Sequence, residues 1–367
     1  MLRDQARAIW QAGVDAVGGY AATQRALQGV TDRPDRVLAV GKAAGAMARA
    51  ALDHFGPVPT LVVTKDGHGD GLPAHVHLIE ASHPVPDARS IAGGRALRAA
   101  IEAMEAGSEL LLLVSGGASA LAEDPAGDLT LDDLAALNAQ LLASGQDIVA
   151  MNAERRKVSR IKGGGLLGHF HGAKARVLAI SDVPGDDLGV IGSGIGAAPA
   201  DHDFDFEARI IASNTHARDA AADAARGMGL AVIANEEALH DDLKRLAKWI
   251  GERLRTMPPG VMILGGEPTV VLPDTPGRGG RNQALALALA REIEGIDGLT
   301  IIVGGTDGSD GPTGDAGGII DGSTWGDGAA EALAAADSGT YLERKGALLT
   351  TGPTGTNVMD LLVALRV

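Results

Sequence analysis

Short runs of consecutive apolar residues alternate along most of this chain with longer stretches whose apolar positions recur every three or four residues. The first pattern marks strands buried on both faces, the second amphipathic helices. Their regular alternation predicts parallel sheets covered by helices. After an opening amphipathic segment, RVLAV (36–40) precedes an alanine-rich helix over 43–53; TLVVT (60–64) and HVHLIEA (75–81) lead to a helix near 88–105. ELLLLVS (109–115) is nearly all apolar, as a central strand is, and helices fill much of 118–168 before ARVLAIS (175–181). IGSGIGAAPADHDFDFEA (191–208) interrupts the alternation with glycine, proline and acids and is read as the domain junction. Beyond it, RIIASN (209–214), a helix to 228 and LAVIAN (230–235) read as one βαβ unit. A helix over 237–256, VMILGG, a buried helix over 281–294, TIIVGG and a last short strand near LLTTG complete the chain. The expected architecture is α/β, with domains over 1–200 and 205–367, each a mostly parallel sheet flanked by helices.

Composition narrows the function. A chain of 367 residues is long for one core, and 45% apolar residues with only 2% aromatic means cores of Ala, Leu, Val and Ile. The 32 basic and 47 acidic residues leave a net charge of −15. An acidic, aromatic-poor surface offers neither a phosphate-tracking face nor stacking platforms, so nucleic acid is not expected as a partner. A small anionic substrate is compatible with that charge, because salt screens surface charges beyond roughly 8 Å. The absence of cysteine excludes disulfides, thiolate catalysis and cysteine-ligated zinc, and fits a cytoplasmic protein. MLRDQARAIWQAGVDAV lacks the apolar core of a signal peptide, and no apolar run approaches the ~18–20 residues of a membrane span. No membrane partner is expected, and a homodimer is left open.

The candidate chemistry sits in glycine-rich loops, most of them after an apolar run: VGKAAG (40–45), SGGASAL (115–121), RIKGGG (160–165), ISDVPGDD (180–187), LGGEPT (264–269) and VGGTDGSDGPTG (303–314). Glycine lets backbone N–H groups approach an anion, and a helix start adds partial positive charge. Lys42 sits at a strand end where α/β proteins bind ligands, although VGKAAG lacks the residues of a Walker A loop. Ser115, Gly116, Gly117 and Ser119 can cradle a phosphate or carboxylate, or form a structural turn; they do not fit a G-x-S-x-G nucleophile elbow. In NAERRKVSRIKGGG, Asn152, Arg155, Lys162, Gly163 and Gly164 read as an anion site or as a solvated charged face. Gly163, Gly165 and Gly168 with Asp182 also match a dinucleotide fingerprint, but no strand precedes them. Asp182 and Asp307 each follow an apolar strand, where a carboxylate can ligate Mg²⁺ or take a proton from a hydroxyl, and Asp310 is a further residue that could hold a metal. Glu267 is a third such candidate, with a surface turn as the plain alternative. His75/His77 and His169/His171 lack an evident third ligand for a metal. A further loop, GRGGRN (277–282), opens into a helix that is apolar all round and presents Arg281, whose planar fork suits a phosphoryl or carboxylate group.

Read in order, these segments resemble the glycerate 2-kinase family of the MOFRL type, many members of which carry the older label hydroxypyruvate reductase. The resemblance runs through GKAAGAMA (41–48), SHPVPD (82–87), SGGASAL, LLASGQDI (141–148), N-x-x-R with S-R-I-K-G-G (152–164), SDVPGDDL (181–188), GGEPTV (265–270), GRGGRNQ (277–283), GTDGSDGPT (305–313) and TGPTGTNV (351–358). It implies a Rossmann-like N-terminal domain, a MOFRL-type C-terminal domain and an active site between them. It further implies phosphoryl transfer from ATP to glycerate with Mg²⁺, with Lys42 and Arg281 as the principal catalytic cations. In this reading Asp307 is the metal ligand and Asp182 meets the attacking hydroxyl. The chain departs from the family at Gly194-Ile195-Gly196, at Glu154 and Lys157, and at Ala284, and it is shorter near 195–210. The alternatives are an NAD(P)-dependent hydroxypyruvate reductase and a non-catalytic binding protein on the same scaffold.

Overall fold

The structure is a computed structural model that describes residues 2–127, 129–143 and 154–367. It divides into two compact units, one of Gly18–Ala212 with Gly355–Asn357, the other of residues 2–17, Ser213–Thr354 and Val358–Val367.

The first unit is built on β1 (Arg36–Val40), β2 (Thr60–Lys65), β3 (His77–Ala81), β4 (Glu109–Val114), β5 (Lys174–Ile180) and β6 (Asp205–Ala212). They form one sheet in the order β3-β2-β1-β4-β5-β6, with every neighbouring pair parallel. Leu38, Val40, Leu112, Val114 and Val177 are fully buried, which is why these strands read as unbroken apolar runs. The strand order reverses between β1 and β4, the place where doubly wound sheets open a crevice at their carboxyl ends. Val40 pairs with Val114, so the loops after the two strands leave the sheet side by side.

The junction read at 191–208 is not a linker. Ile191, Ile195 and Phe204 pack into the core of this unit, and the segment leads into β6, which adds to β5 as the edge strand and becomes buried only at Ile211 and Ala212. β6 therefore closes the first sheet instead of opening a βαβ unit with β7.

The second unit carries β7 (Val232–Glu237), β8 (Gly260–Gly266), β9 (Leu299–Gly305), β10 (Gly317–Asp321), β11 (Leu348–Leu349) and β12 (Asp360–Arg366). Their order is β11-β10-β9-β12-β8-β7, and only β7 and β8 pair in parallel. The expectation of a mostly parallel sheet is corrected here, for a definite reason. β8, the helix Arg281–Glu292 and β9 do form a βαβ unit with strands running the same way. The slot between those strands is filled by β12, antiparallel to both, with Leu362 opposite Leu264 and Val303. β12 was not anticipated in the sequence, yet Leu361–Leu365 are fully buried at the sheet's centre.

The helix Leu2–Ala16 belongs to this second unit. Its buried stripe of Ala6, Ile9, Trp10 and Val14 packs on Ile263, Ile302, Leu361 and Val363, and Trp10 Nε1 donates to the Leu361 carbonyl at 3.0 Å. The helix Arg281–Glu292 is buried from Asn282 to Ala290, as its all-round apolar pattern requires. Among the described residues no helix is long and apolar enough to cross a membrane.

Candidate functional site

At the carboxyl end of the parallel sheet, the two loops predicted to hold an anion are tied to each other. The Lys42 N–H donates to the Gly116 carbonyl at 2.9 Å, and the Ala43 N–H donates to Ser115 Oγ at 3.0 Å. Gly41 takes φ +120°, and a Cβ there would lie 2.3 Å from Ser115 Oγ, so only glycine lets the strand ends approach. The buried Ser115 hydroxyl is thus a strut between the loops. A Cβ on Gly117 would sit 3.1 Å from His83 Nε2 and 3.2 Å from Lys42 Cγ, which places the lysine stem and a histidine ring on either side of the missing side chain.

Asp182 joins the same cluster. A Cβ on Gly116 would lie 2.3 Å from Asp182 Oδ2 and 2.4 Å from Asn357 Nδ2, and Asn357 Nδ2 donates to that oxygen at 3.3 Å. Lys42, Gly116, Gly117, Asp182 and Asn357 therefore converge on one small space, with Ser115 behind them. Asn357 carried no role in the sequence reading. It reaches this unit because the three residues Gly355–Asn357 leave the other unit, with the Gly19 N–H held by the Gly355 carbonyl at 3.0 Å. The cue available in the sequence was its place in TGPTGTNV, a polar glycine-threonine stretch.

The basic segment behaves differently. Lys162 is buried in an ion pair with Glu123, and Ser159 Oγ also donates to Glu123. The Gly163 and Gly164 N–H groups donate to the Ser193 and Gly194 carbonyls, each at 2.9 Å. The charge and the backbone donors read as an anion cradle are spent inside the fold, where a buried lysine requires a partner. Ser119 Oγ is 2.8 Å from Ser193 Oγ, so this loop buttresses SGGASAL. Ser193 holds the left-handed conformation at φ +58°, an uncommon position for a non-glycine residue. Arg155 is half-buried, and Asn152 lies outside the described residues.

In the second unit Arg281 is gripped, not simply presented by its turn. Its Nε donates to Asp360 Oδ2 at 2.6 Å, its Nη2 to Asp360 Oδ1 at 3.3 Å, and its Nη1 meets Glu267 Oε1 at 2.6 Å. Burial pulls the guanidinium pKa down, but the charges of Asp360, Glu267 and Asp310 more than offset it and hold it above the ordinary value. Asp310 caps the helix from outside: Oδ1 accepts the Asn282 N–H at 3.0 Å and Oδ2 the Gln283 N–H at 2.8 Å. Gly280 at the cap position has no side chain for this task, and a Cβ there would strike Asp310 at 2.3 Å. The protein's own carboxylate thus occupies the helix start read as a phosphate site. Burial pushes Asp310 up to about 7, against the two backbone N–H bonds that favour its charged form. Burial also raises Asp360, opposed by Arg281 and Asn282. Asn282 Nδ2 donates to Asp360 Oδ1 at 2.9 Å and reaches Asp310 Oδ1 at 3.4 Å.

Asp307 follows β9, and its Oδ1 accepts from the Ser309 N–H and Oγ at 2.9 Å each. No group of three or more His, Cys, Asp or Glu among the described residues is arranged to hold a metal. Mg²⁺ commonly takes one or two carboxylates and fills its remaining positions with phosphate oxygens and water. A single carboxylate therefore fits an ion carried in on a nucleotide, not one caged by protein.

Comparison with known proteins agrees with this architecture. A model described as a domain of unknown function (DUF4147) matches residues 5–228, and the MOFRL family model matches 260–360. A D-glycerate 2-kinase of Thermotoga maritima is 35% identical over 381 residues, covering 91% of this chain and 91% of that protein. A protein of Agrobacterium vitis named putative hydroxypyruvate reductase is 36% identical, covering 90% of this chain and 86% of its own length. The crystal structure of glycerate kinase from Thermotoga maritima superposes with a TM-score of 0.89 at 33% identity, covering 100% of this chain and 99% of that one.

Proposed function

We propose that this chain, which belongs to the glycerate 2-kinase family of the MOFRL type, draws the phosphoryl group it transfers to glycerate from ATP, with Mg²⁺ carried on the nucleotide. The observation that carries this reading is the convergence of Lys42, the Gly116–Gly117 turn, Asp182 and Asn357 at the point where the parallel sheet reverses its order. Phosphoryl transfer asks a protein chiefly for positioning and for neutralisation of the charge spread over the phosphate oxygens.

In this proposal Lys42 neutralises charge on the transferring group, and Arg281 does the same in its own unit, oriented by Asp360 and Glu267. Glu267 then acts through Arg281 instead of touching ligand. Asp182, turned by Asn357, accepts the proton of the attacking hydroxyl on C2 of glycerate as that oxygen bonds to phosphorus and ADP departs. Ser119 and Arg155 remain proposed ligand contacts, whereas Lys162, Gly163 and Gly164 hold the loop beneath. Asp307 would hold Mg²⁺, which would supply charge neutralisation to the nucleotide phosphates. The cytoplasm is the proposed compartment, and a homodimer remains part of the proposal.

The reductase name on the Agrobacterium vitis relative supplies the rival. Incubating the full chain with glycerate and either ATP–Mg²⁺ or NAD(P)⁺ separates them. ADP and 2-phosphoglycerate are expected in the first mixture and no NAD(P)H in the second; hydride transfer without ADP overturns the kinase chemistry.

A further inference from the structure

Gly192, Ser193 and Gly194 are three consecutive left-handed residues, with φ of +55°, +58° and +78°. Glycine takes that conformation at no steric cost, whereas any other L-residue is strained there through its Cβ. Glycine stands at the first and third positions, and serine at the second. A backbone that three glycines would form without strain therefore carries a side chain at its centre, and an outlier of this kind points to work done by that side chain.

The turn lies against the SGGASAL loop. A Cβ on Gly192 would come within 2.9 Å of the Ala118 Cβ, so the turn touches the residue next to Ser119. Its backbone is tied on both sides. The Ser193 N–H donates to the Val190 carbonyl, and the Ser193 and Gly194 carbonyls accept the Gly163 and Gly164 N–H groups, each at 2.9 Å. The Ser193 hydroxyl is thereby fixed in direction, and its partner is Ser119 Oγ at 2.8 Å. Ser193 is sealed from solvent at 5% exposure, whereas Ser119 is only half-buried. A hydroxyl carries one proton and two lone pairs. With Ser193 as the donor, Ser119 keeps its own proton for a ligand.

We infer that Ser193 is a positioning residue, whose hydroxyl, held by the left-handed turn, aims the Ser119 hydroxyl at the carboxylate of the acceptor. Asp182 stands against Gly116, three residues before Ser119. In glycerate the carboxylate is bonded to the carbon that carries the hydroxyl assigned to Asp182, so it is the acceptor's anion nearest this loop. The inference rests on the proposed kinase reading, with Asp182 at the attacking hydroxyl and Ser119 as a ligand contact, and adds to it the group that sets Ser119. The carboxylate keeps its charge throughout the transfer, so the contact binds ground state and transition state alike and is read in KM, with kcat little changed.

The test uses the full chain. Ser193→Gly removes the hydroxyl and the strain together; Ser193→Ala removes the hydroxyl and keeps the unfavourable backbone. The glycine variant should therefore unfold at a higher temperature than the alanine variant. Both should nonetheless raise KM for glycerate about fivefold, with kcat within about twofold of the parent chain. Ser119→Ala should do the same, and adding Ser193→Ala to it should change little further. A merely structural serine gives another pattern, in which KM follows stability and the glycine variant matches the parent. An unchanged KM in Ser193→Gly, or effects of Ser119→Ala and Ser193→Ala that multiply in the double variant, overturns the inference. If the parent chain forms ADP from ATP and glycerate, that result leaves the kinase reading in place. A parent chain that forms no ADP fails that reading, and calorimetry with 2-phosphoglycerate then decides on Ser193. Affinity about fivefold weaker in Ser193→Gly supports the inference; equal affinity, or no binding to the parent chain, overturns it.

Discussion

VGKAAG and GRGGRN look alike in the chain, each a glycine turn that leads a cation into an alanine-rich helix, yet the fold treats them in opposite ways. At the first, glycine at 41, 116 and 117 removes side chains so that Lys42, Asp182 and Asn357 converge, and the framework is mostly backbone. At the second, Asp310 fills the helix start while Asp360 and Glu267 hold the cation. Side-chain-free backbone surrounds the first turn, whereas three carboxylates already stand around the second.

The largest expected effect breaks the first turn. Lys42→Ala should lower kcat by about 10²–10³, roughly 3–4 kcal/mol, as the loss of one preorganised charge does. Its thermal midpoint should stay near that of the parent chain, because the residue lies on a loop that glycine geometry and Ser115 already hold together. Steady-state kinetics with calorimetric unfolding checks both halves. Turnover within threefold of the parent would take Lys42 out of the chemistry.

The second turn gives a smaller effect of a different kind. Arg281→Lys keeps the charge, but an ammonium cannot reproduce the planar fork that spans Asp360 and Glu267. A loss of about tenfold in kcat/KM, ~1.4 kcal/mol, is expected. A double variant, Arg281→Lys with Glu267→Gln, sharpens the comparison. If Glu267 works only by orienting the guanidinium, its removal should add little once the fork is gone.

The strand-end loops were legible because each pairs an apolar run with glycine, and both signals are local. What stayed hidden depended on distance along the chain. Lys162 reads as a phosphate cation until Glu123, 39 residues earlier, is found beside it in the core. Asn357 and Asp182 are 175 residues apart and meet only because a three-residue excursion carries the first into the parallel-sheet unit. β12 was hidden for a related reason. DLLVALR is an ordinary apolar run, and nothing local reveals that it fills the gap between β8 and β9, antiparallel to both. Its first residue, Asp360, stayed out of view with it. Asp360, which holds Arg281, was accordingly missing from the candidate residues, and Asp310, read as a possible metal ligand, caps the Arg281 helix from 28 residues away.

A pH dependence of stability at Asp310 asks whether the cap at the second turn is charged. Burial moves its pKa from 3.8 to about 7 in the folded chain. Between those values the folded state keeps a proton that the unfolded state has released, so this residue makes stability fall as pH rises across the window. The slope is at most about 1.4 kcal/mol per pH unit. Asp310→Asn cannot titrate, whereas Asp360, whose pKa is also raised by burial, is present in both chains and largely cancels from the difference. The unfolding free energy of the parent minus that of the variant should therefore decline from about pH 4 to pH 7 and level off on either side. Urea unfolding of both chains across that range measures it. A difference that stays flat would mean that the Asn282 and Gln283 N–H groups hold the carboxylate ionised throughout despite its burial. In that case the second turn is capped by a full negative charge, and Arg281 is bound more tightly into its own unit than the raised pKa of Asp310 implies.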